Sequence, residues 1–265
     1  MHFRLLLVFW FFSLGLPAQQ PDHARRTVTF TPPVATTPAL AVPLAETAHL
    51  IAFTLRCAGP ALGGDFDLRW SPDGAHWSDW SALHDDAHLG YPAGIRQFDL
   101  AFLPSETRFV QLRAAGLAAP VTAELFFYSP TQLGPQDPSP AAVSTFDFST
   151  CPCPQPAFVD RAGWGGPPNQ EPGCAPVYTT VTHLIVHHQA GVANPPYAAV
   201  VNAIWQQHVS VNGWCDIGYN WVIAPDGTIY EGRAGGNNVL GSHFCGQNAN
   251  TIGICFLGNF QTQQP

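Results

Sequence analysis

The sequence predicts a two-part protein: an N-terminal all-β sandwich, then an α/β unit with a mixed central sheet and flanking helices. Three observations predict this. Residues 49–128 break into short alternating runs separated by Gly and Pro, residues 130–156 hold seven prolines, and from Arg161 onward strand patterns alternate with a helical one. At 265 residues the chain has room for two modest cores. Charged residues are 11% of the chain against 46% hydrophobic, which excludes charge-driven disorder for most of its length.

Residues 1–18 open with a basic start, run apolar from Leu5 to Leu16 and end on Pro17 and Ala18, the layout of a secretory signal. The run is shorter than the ~20 apolar residues a membrane span needs, so no stable membrane insertion is expected after cleavage. The mature chain is expected to be secreted or periplasmic, where its seven cysteines can oxidise. Residues 19–48, rich in Pro, Thr and Ala, read as an extended lead-in. Residues 49–129 read as the sandwich; Phe109, Gln111 and Arg113 alternate with Val110 and Leu112, and Asp73-Gly74 marks a hairpin turn. Trp70, Trp77 and Trp80 crowd that hairpin. A carbohydrate platform is one reading of them and half-buried packing the other, with packing the default.

Residues 130–156 read as a stiff linker and the domain boundary, offering few contacts across it. Cys151 and Cys153 close it without a second cysteine pair at metal-site spacing, so distant disulfides are the expectation. In residues 157–265, Val181–His188 reads as a strand. Asn194 reads as the cap of a helix whose first turn holds Pro195 and Pro196 and whose apolar period runs to Val211, with Gly213 as its stop. Tyr219–Ala224 and Thr228–Gly232 flank the turn Pro225-Asp226-Gly227. Thr251–Leu257, apolar throughout, reads as a central strand.

Ten basic against 18 acidic residues leave a net charge of −8, and every basic residue is Arg. No basic stripe is available to neutralise phosphates, which argues against nucleic-acid partners. Within HLIVHHQ, alternation puts His183, Ile185 and His187 on one face and Leu184, Val186 and His188 on the other. A histidine at the C-terminal end of a strand is well placed for a metal or a substrate, although a hydrogen-bonded structural histidine is the default for the residue alone.

The segments RAGWGG, HLIVHHQA, AIWQQHVSVNGWCDIGYNWVIAPDGTIYEGRAGG and GSHFCGQNANTIGICFLGNF occur in this order. In order and spacing they closely resemble the peptidoglycan recognition proteins and the related zinc-dependent N-acetylmuramoyl-L-alanine amidases. The resemblance covers residues 157–265 and implies a peptidoglycan-binding enzyme that cuts the amide between N-acetylmuramic acid and the L-alanine of the stem peptide. It implies zinc as cofactor and muropeptides as partners. His187 matches the first zinc ligand, while His188 falls where relatives carry His or Cys. Tyr219 matches the catalytic tyrosine, and His208, Trp214, Arg233, His243 and Asn248 fall at motif positions near the groove. Cys174 and Cys215 match a pair that is disulfide-bonded in many animal members.

These residue types suit the chemistry. Zinc with three protein ligands keeps a position for water and lowers its pKa to about 7. A phenol can donate to the carbonyl oxygen as it becomes negative, a contact worth roughly 3 kcal/mol. The alternative for Tyr219 is a core tyrosine, and for His208 a buried helix histidine. The family's remaining ligands, a His and a Cys, lie on a later segment that no residue here matches, so the domain is expected to be C-terminally incomplete. A non-catalytic recognition protein is therefore the competing expectation. A secreted sandwich that binds sugar through its Trp cluster is the reading outside the family. Cys255, in mid-strand, is expected to be a buried free thiol, and Cys245 has no expected partner.

Overall fold

The computed structural model describes residues 23–32, 34–43, 51–59, 62–86, 93–129, 155–191, 193–244 and 246–260. The expected signal sequence, nearly all of the Pro-rich linker, Cys151, Cys153 and Cys245 lie outside them. Among the described residues the protein is mostly β-sheet with few helices, and none of those helices is long and apolar enough to cross a membrane.

Among the described residues the N-terminal part contains ten strands: β1 (His23–Phe30), β2 (Val34–Thr36), β3 (Leu40–Ala41), β4 (Ile51–Ala58), β5 (Asp65–Ser71), β6 (Ser81–Ala82), β7 (Ile95–Gln97), β8 (Ala101–Leu103), β9 (Phe109–Ala115) and β10 (Val121–Tyr128). They form two antiparallel sheets. One has the order β1-β10-β4-β7 with β8 also on β4; the other has the order β2-β9-β5-β6 with β3 also on β9. Residues from both sheets share one core, in which Phe30, Phe66 and Phe98 meet edge to face at 5.4 and 5.2 Å.

The extended lead-in is corrected here. Residues 23–41 supply β1, β2 and β3, and all eight residues of β1 pair with β10. The alternation that makes β1 a strand is confined to Val28 and Phe30, which turn to the core while Thr27 and Thr29 stay exposed. Pro32 and Pro38 fall between the strands, where a missing N–H costs no ladder bond.

The C-terminal part has one four-stranded sheet of order β11-β14-β12-β13, formed by β11 (His183–His188), β12 (Trp221–Ile223), β13 (Ile229–Glu231) and β14 (Thr251–Phe256). β14 lies parallel to both β11 and β12, and β13 is antiparallel to β12. β14 is central as expected, but it alternates: Thr251 and Cys255 are buried while Ile252, Ile254 and Phe256 remain partly open. The edge strand β11 leaves Leu184 and Val186 more than half exposed.

The helix α1 (Tyr197–Gln206) starts later than expected. Pro196 is its N-cap and no side chain caps it, so Asn194 does not. After Gln206 the coil widens into a π-helical turn, Gln207–Val211, and the chain leaves through Gly213 at φ 68°.

The expectation of few contacts across the boundary is also corrected. On β10, Leu125 and Phe127 enter the N-terminal core, while Phe126 and Tyr128 join a second cluster with Ala52, Leu100 and residues of α1 such as Val201 and Ile204. The run LFFY is thus apolar on both faces because the C-terminal part covers the outer one. Because the two parts share this cluster, calorimetry is expected to show one cooperative unfolding transition. Leu100→Ala should lower stability by about 2–4 kcal/mol. Two separate transitions would show that the shared cluster carries no coupling.

Candidate active site

A buried electrostatic knot frames the site. Asp216, fully buried, accepts from Arg161 Nη2 at 3.0 Å, from the Ile217 N–H at 2.8 Å and from the Ala234 N–H at 2.8 Å. Arg161 also donates to the carbonyls of Pro167 and Gly232, and its guanidinium lies 5.0 Å over the Trp164 ring. Trp164 sends its indole N–H to the Glu231 carbonyl at 2.7 Å, and Asn202 of α1 donates to the Gly165 carbonyl. The segment RAGWGG therefore ties helix, hairpin and loop together. The disulfide Cys174–Cys215 sits beside the knot, as expected, with a sequence separation of 41 that the chain-entropy estimate values at about 4 kcal/mol.

On this frame Asn220 fixes the loop that carries Tyr219. Its Oδ1 accepts from the Gly253 N–H of β14 and its Nδ2 donates to the Val239 carbonyl, each at 2.8 Å. The result is a line of rings beside β11 and β14. His243 meets His187 at 5.3 Å, His187 meets Tyr219 at 5.7 Å, Tyr219 meets His208 at 5.8 Å, and His208 meets Trp214 at 4.5 Å. His187 Nε2 and His243 Nδ1 approach to 3.3 Å. That is about the separation of two donors on one tetrahedral zinc with Zn–N bonds of about 2.05 Å. His243 packs where a Cβ on Gly241 or Gly253 would fall 2.4 or 2.3 Å from its ring, so both glycines are needed for its seat.

Burial and the nearby His187 hold the His243 imidazole down at about 4. Burial holds the Tyr219 phenol well above its ordinary range, so it stays neutral and able to donate. That phenol pairs with the Cys255 thiol, which stands opposite His187 in the β11–β14 register. Cys255 is the buried free thiol expected, pushed up to about 12 by burial. His208 accepts the Gly218 N–H on Nδ1 at 3.1 Å, which leaves Nε2 to carry the proton.

The other expected residues stand behind this line. Arg233, buried, donates to the Ile217 carbonyl and Ser242 Oγ, and Asn248 Oδ1 accepts the N–H groups of His243 and Phe244. His188 turns away and accepts the Phe260 N–H, and His183 stays at the far end of β11 beside Thr182. Sequence reading missed Asp86, Asp99 and Leu100, which reach in from the N-terminal part. They line a slot of about 20 Å³ with Gln189, Gln207, His208 and Tyr219. No motif marks these positions, since the approach of the two parts places them.

Comparison with known proteins finds similarity in the C-terminal segment. Residues 177–265 match the N-acetylmuramoyl-L-alanine amidase family. Peptidoglycan-recognition protein SC2 of Drosophila simulans is 38% identical over 108 residues, which are 40% of this chain and 56% of the relative. The C-terminal segment is similar to the peptidoglycan recognition proteins and the amidases. Peptidoglycan recognition protein 1 of Bos indicus is 38% identical over 115 residues, covering 41% of this chain and 57% of the relative. The chain thus spans a little over half the length of these curated relatives. The solved structure of wild-type PGRP-LB from Drosophila is 30% identical, with a TM-score of 0.35, over 41% of this chain and 64% of that one.

Two outcomes are expected from this amidase-family segment. Asp216→Ala should cost about 3–5 kcal/mol by chemical denaturation, because Arg161 is left buried without its partner. His243 binds its proton more weakly folded than unfolded, so stability rises with pH between about 4 and the ordinary 6.5 and is lost as pH falls through that window. Urea midpoints at several pH values should show this slope, and His243→Gln should flatten it.

Proposed function

We propose that the protein is a secreted or periplasmic peptidoglycan-binding zinc amidase, built from a β-sandwich over 23–129 and an amidase domain over 157–265. It hydrolyses the amide between N-acetylmuramic acid and the L-alanine of the stem peptide. The observation that carries this reading is the convergence of His187, His243 and Tyr219 in one line of rings, within the segment that matches the amidase family. Relatives named as peptidoglycan-recognition proteins support peptidoglycan as the ligand. The Cys174–Cys215 disulfide supports an oxidising compartment.

The donors fit two positions of a zinc site. His187 is the proposed ligand and His243 Nδ1 stands at the distance of a second nitrogen, while among the described residues no group of three His, Cys, Asp or Glu side chains gathers. When bound, zinc supplies Lewis acidity and a nucleophile drawn from water at neutral pH. The chain's own groups do the rest. Tyr219, neutral and already held beside the His187 rung, donates to the scissile carbonyl oxygen as negative charge builds there. His208 presents its Nε2 proton along the same wall, with Trp214 stacked behind it. Arg233 and Asn248 serve the groove by holding the loops that carry Ile217 and His243.

Recognition without cleavage is the second reading, supported by the incomplete donor set among the described residues. Zinc content by mass spectrometry and cleavage of purified muropeptides separate the two. His187→Ala should lose metal and activity together, while Tyr219→Phe should keep the metal and lose about 100-fold in kcat. Full activity in Tyr219→Phe would refute the role given to the phenol, and binding of muropeptides without zinc or turnover would favour recognition.

A further inference from the structure

The three tryptophans of the N-terminal part do not act together. Trp80 lies between two arginines and Trp77 against one: Arg69 is 4.8 and 4.5 Å from the ring centres of Trp77 and Trp80, and Arg113 is 4.7 Å from Trp80. These contacts hold both rings on the outer surface of the sheet. Trp70, on the opposite face of β5, instead lines a cleft of about 300 Å³ between the two parts of the protein. The far wall of that cleft is Ala190, Gly191 and Asn259, so it opens within a few residues of His187. Asp99 and Leu100 line both this cleft and the narrow slot beside Tyr219 and His208.

The walls define the ligand chemistry. Trp70 and Leu103 offer an apolar floor, and Ser81, His84, Asp99 and Asn259 offer hydroxyl, imidazole, carboxylate and carboxamide groups around it. Among the described residues no Arg lines the cleft, which disfavours a phosphate or carboxylate ligand. The size is that of small-ligand pockets, which begin at about 300 Å³. A saccharide ring has the matching character, an apolar face to stack on an indole and equatorial groups that both donate and accept.

We propose that this cleft is a saccharide subsite. The N-terminal part uses Trp70 to hold a sugar ring of the polymer whose amide is presented at Tyr219. It is a binding surface of the site, not a spacer. The identity of the polymer rests on the peptidoglycan reading above; the saccharide chemistry rests on the cleft.

The test uses the full chain and a β-1,4-linked N-acetylglucosamine tetramer, which carries no peptide, followed by calorimetry and tryptophan fluorescence. Wild type should bind the tetramer with a fluorescence change. Trp70→Ala should weaken binding about tenfold and abolish that change, His84→Ala should weaken it about threefold, and Trp77→Ala should leave it within about twofold. His84 is exposed, so its variant carries the test if Trp70→Ala fails to fold. Absence of binding, or a loss caused by Trp77→Ala instead, overturns the proposal, as does faster muropeptide cleavage in Trp70→Ala, which would make the N-terminal part a cover. Amide cleavage is measured separately. Saccharide binding without cleavage rejects the amidase reading alone, and cleavage without saccharide binding rejects the subsite alone.

Discussion

The fully buried carboxylate of Asp216 is the constraint on which the rest of the C-terminal part depends. A charge taken out of water is tolerated only where donors replace its hydration, and here three do so from three separate stretches of chain. Arg161 comes from the segment that precedes the sheet, Ile217 from the loop that leads to Tyr219, and Ala234 from the segment after β13. None of these stretches can move without stranding the charge. The disulfide anchors the adjacent residue, Cys215, to the loop of Cys174, so covalent and electrostatic restraints act on consecutive positions. Tyr219 follows within three residues, and its placement is inherited from this restraint.

Packing against the N-terminal part completes the site from the other side. Phe126 and Tyr128 are buried on a face of β10 that would face solvent in an isolated pair of sheets. The same approach carries Asp86, Asp99 and Leu100 to the slot beside Tyr219 and His208. Tyr219 keeps only 4% of its surface exposed, and burial, with the nearby carboxylates of Asp86 and Asp99, raises its phenol further above the ordinary range. The two parts thus share a core, and residues of both line the slot and the neighbouring cleft.

Small local departures from regular geometry aim the side chains. The π-helical turn after α1 inserts extra width just where His208 lies, and such turns recur at functional positions. Gly218 leaves room that a Cβ would take from the Ser242 carbonyl and Trp214, and Gly241 and Gly253 do the same for His243. These glycines matter through close approach and not through positive φ, since none of the three adopts it.

The strands of the C-terminal part, the strand position of His187 and the opposite facing of His188 were legible in the sequence, because alternation and turn residues are local signals. The motif segments made the Cys174–Cys215 pair and the candidate Tyr219 legible through resemblance. Three things were not. The strands within residues 23–41 escaped notice because two-to-eight-residue edge strands among prolines carry little periodicity, and their pairing partners lie far along the chain. The start of α1 at Tyr197 depended on the Pro-Pro geometry, not on a capping side chain. That Asp86 and Asp99 line the slot beside Tyr219, and Trp70 the cleft next to it, came only from tertiary structure. Which surface of one folded unit meets another is decided by shape and by the apolar faces left uncovered, and a run such as LFFY shows that both faces are buried without showing against what.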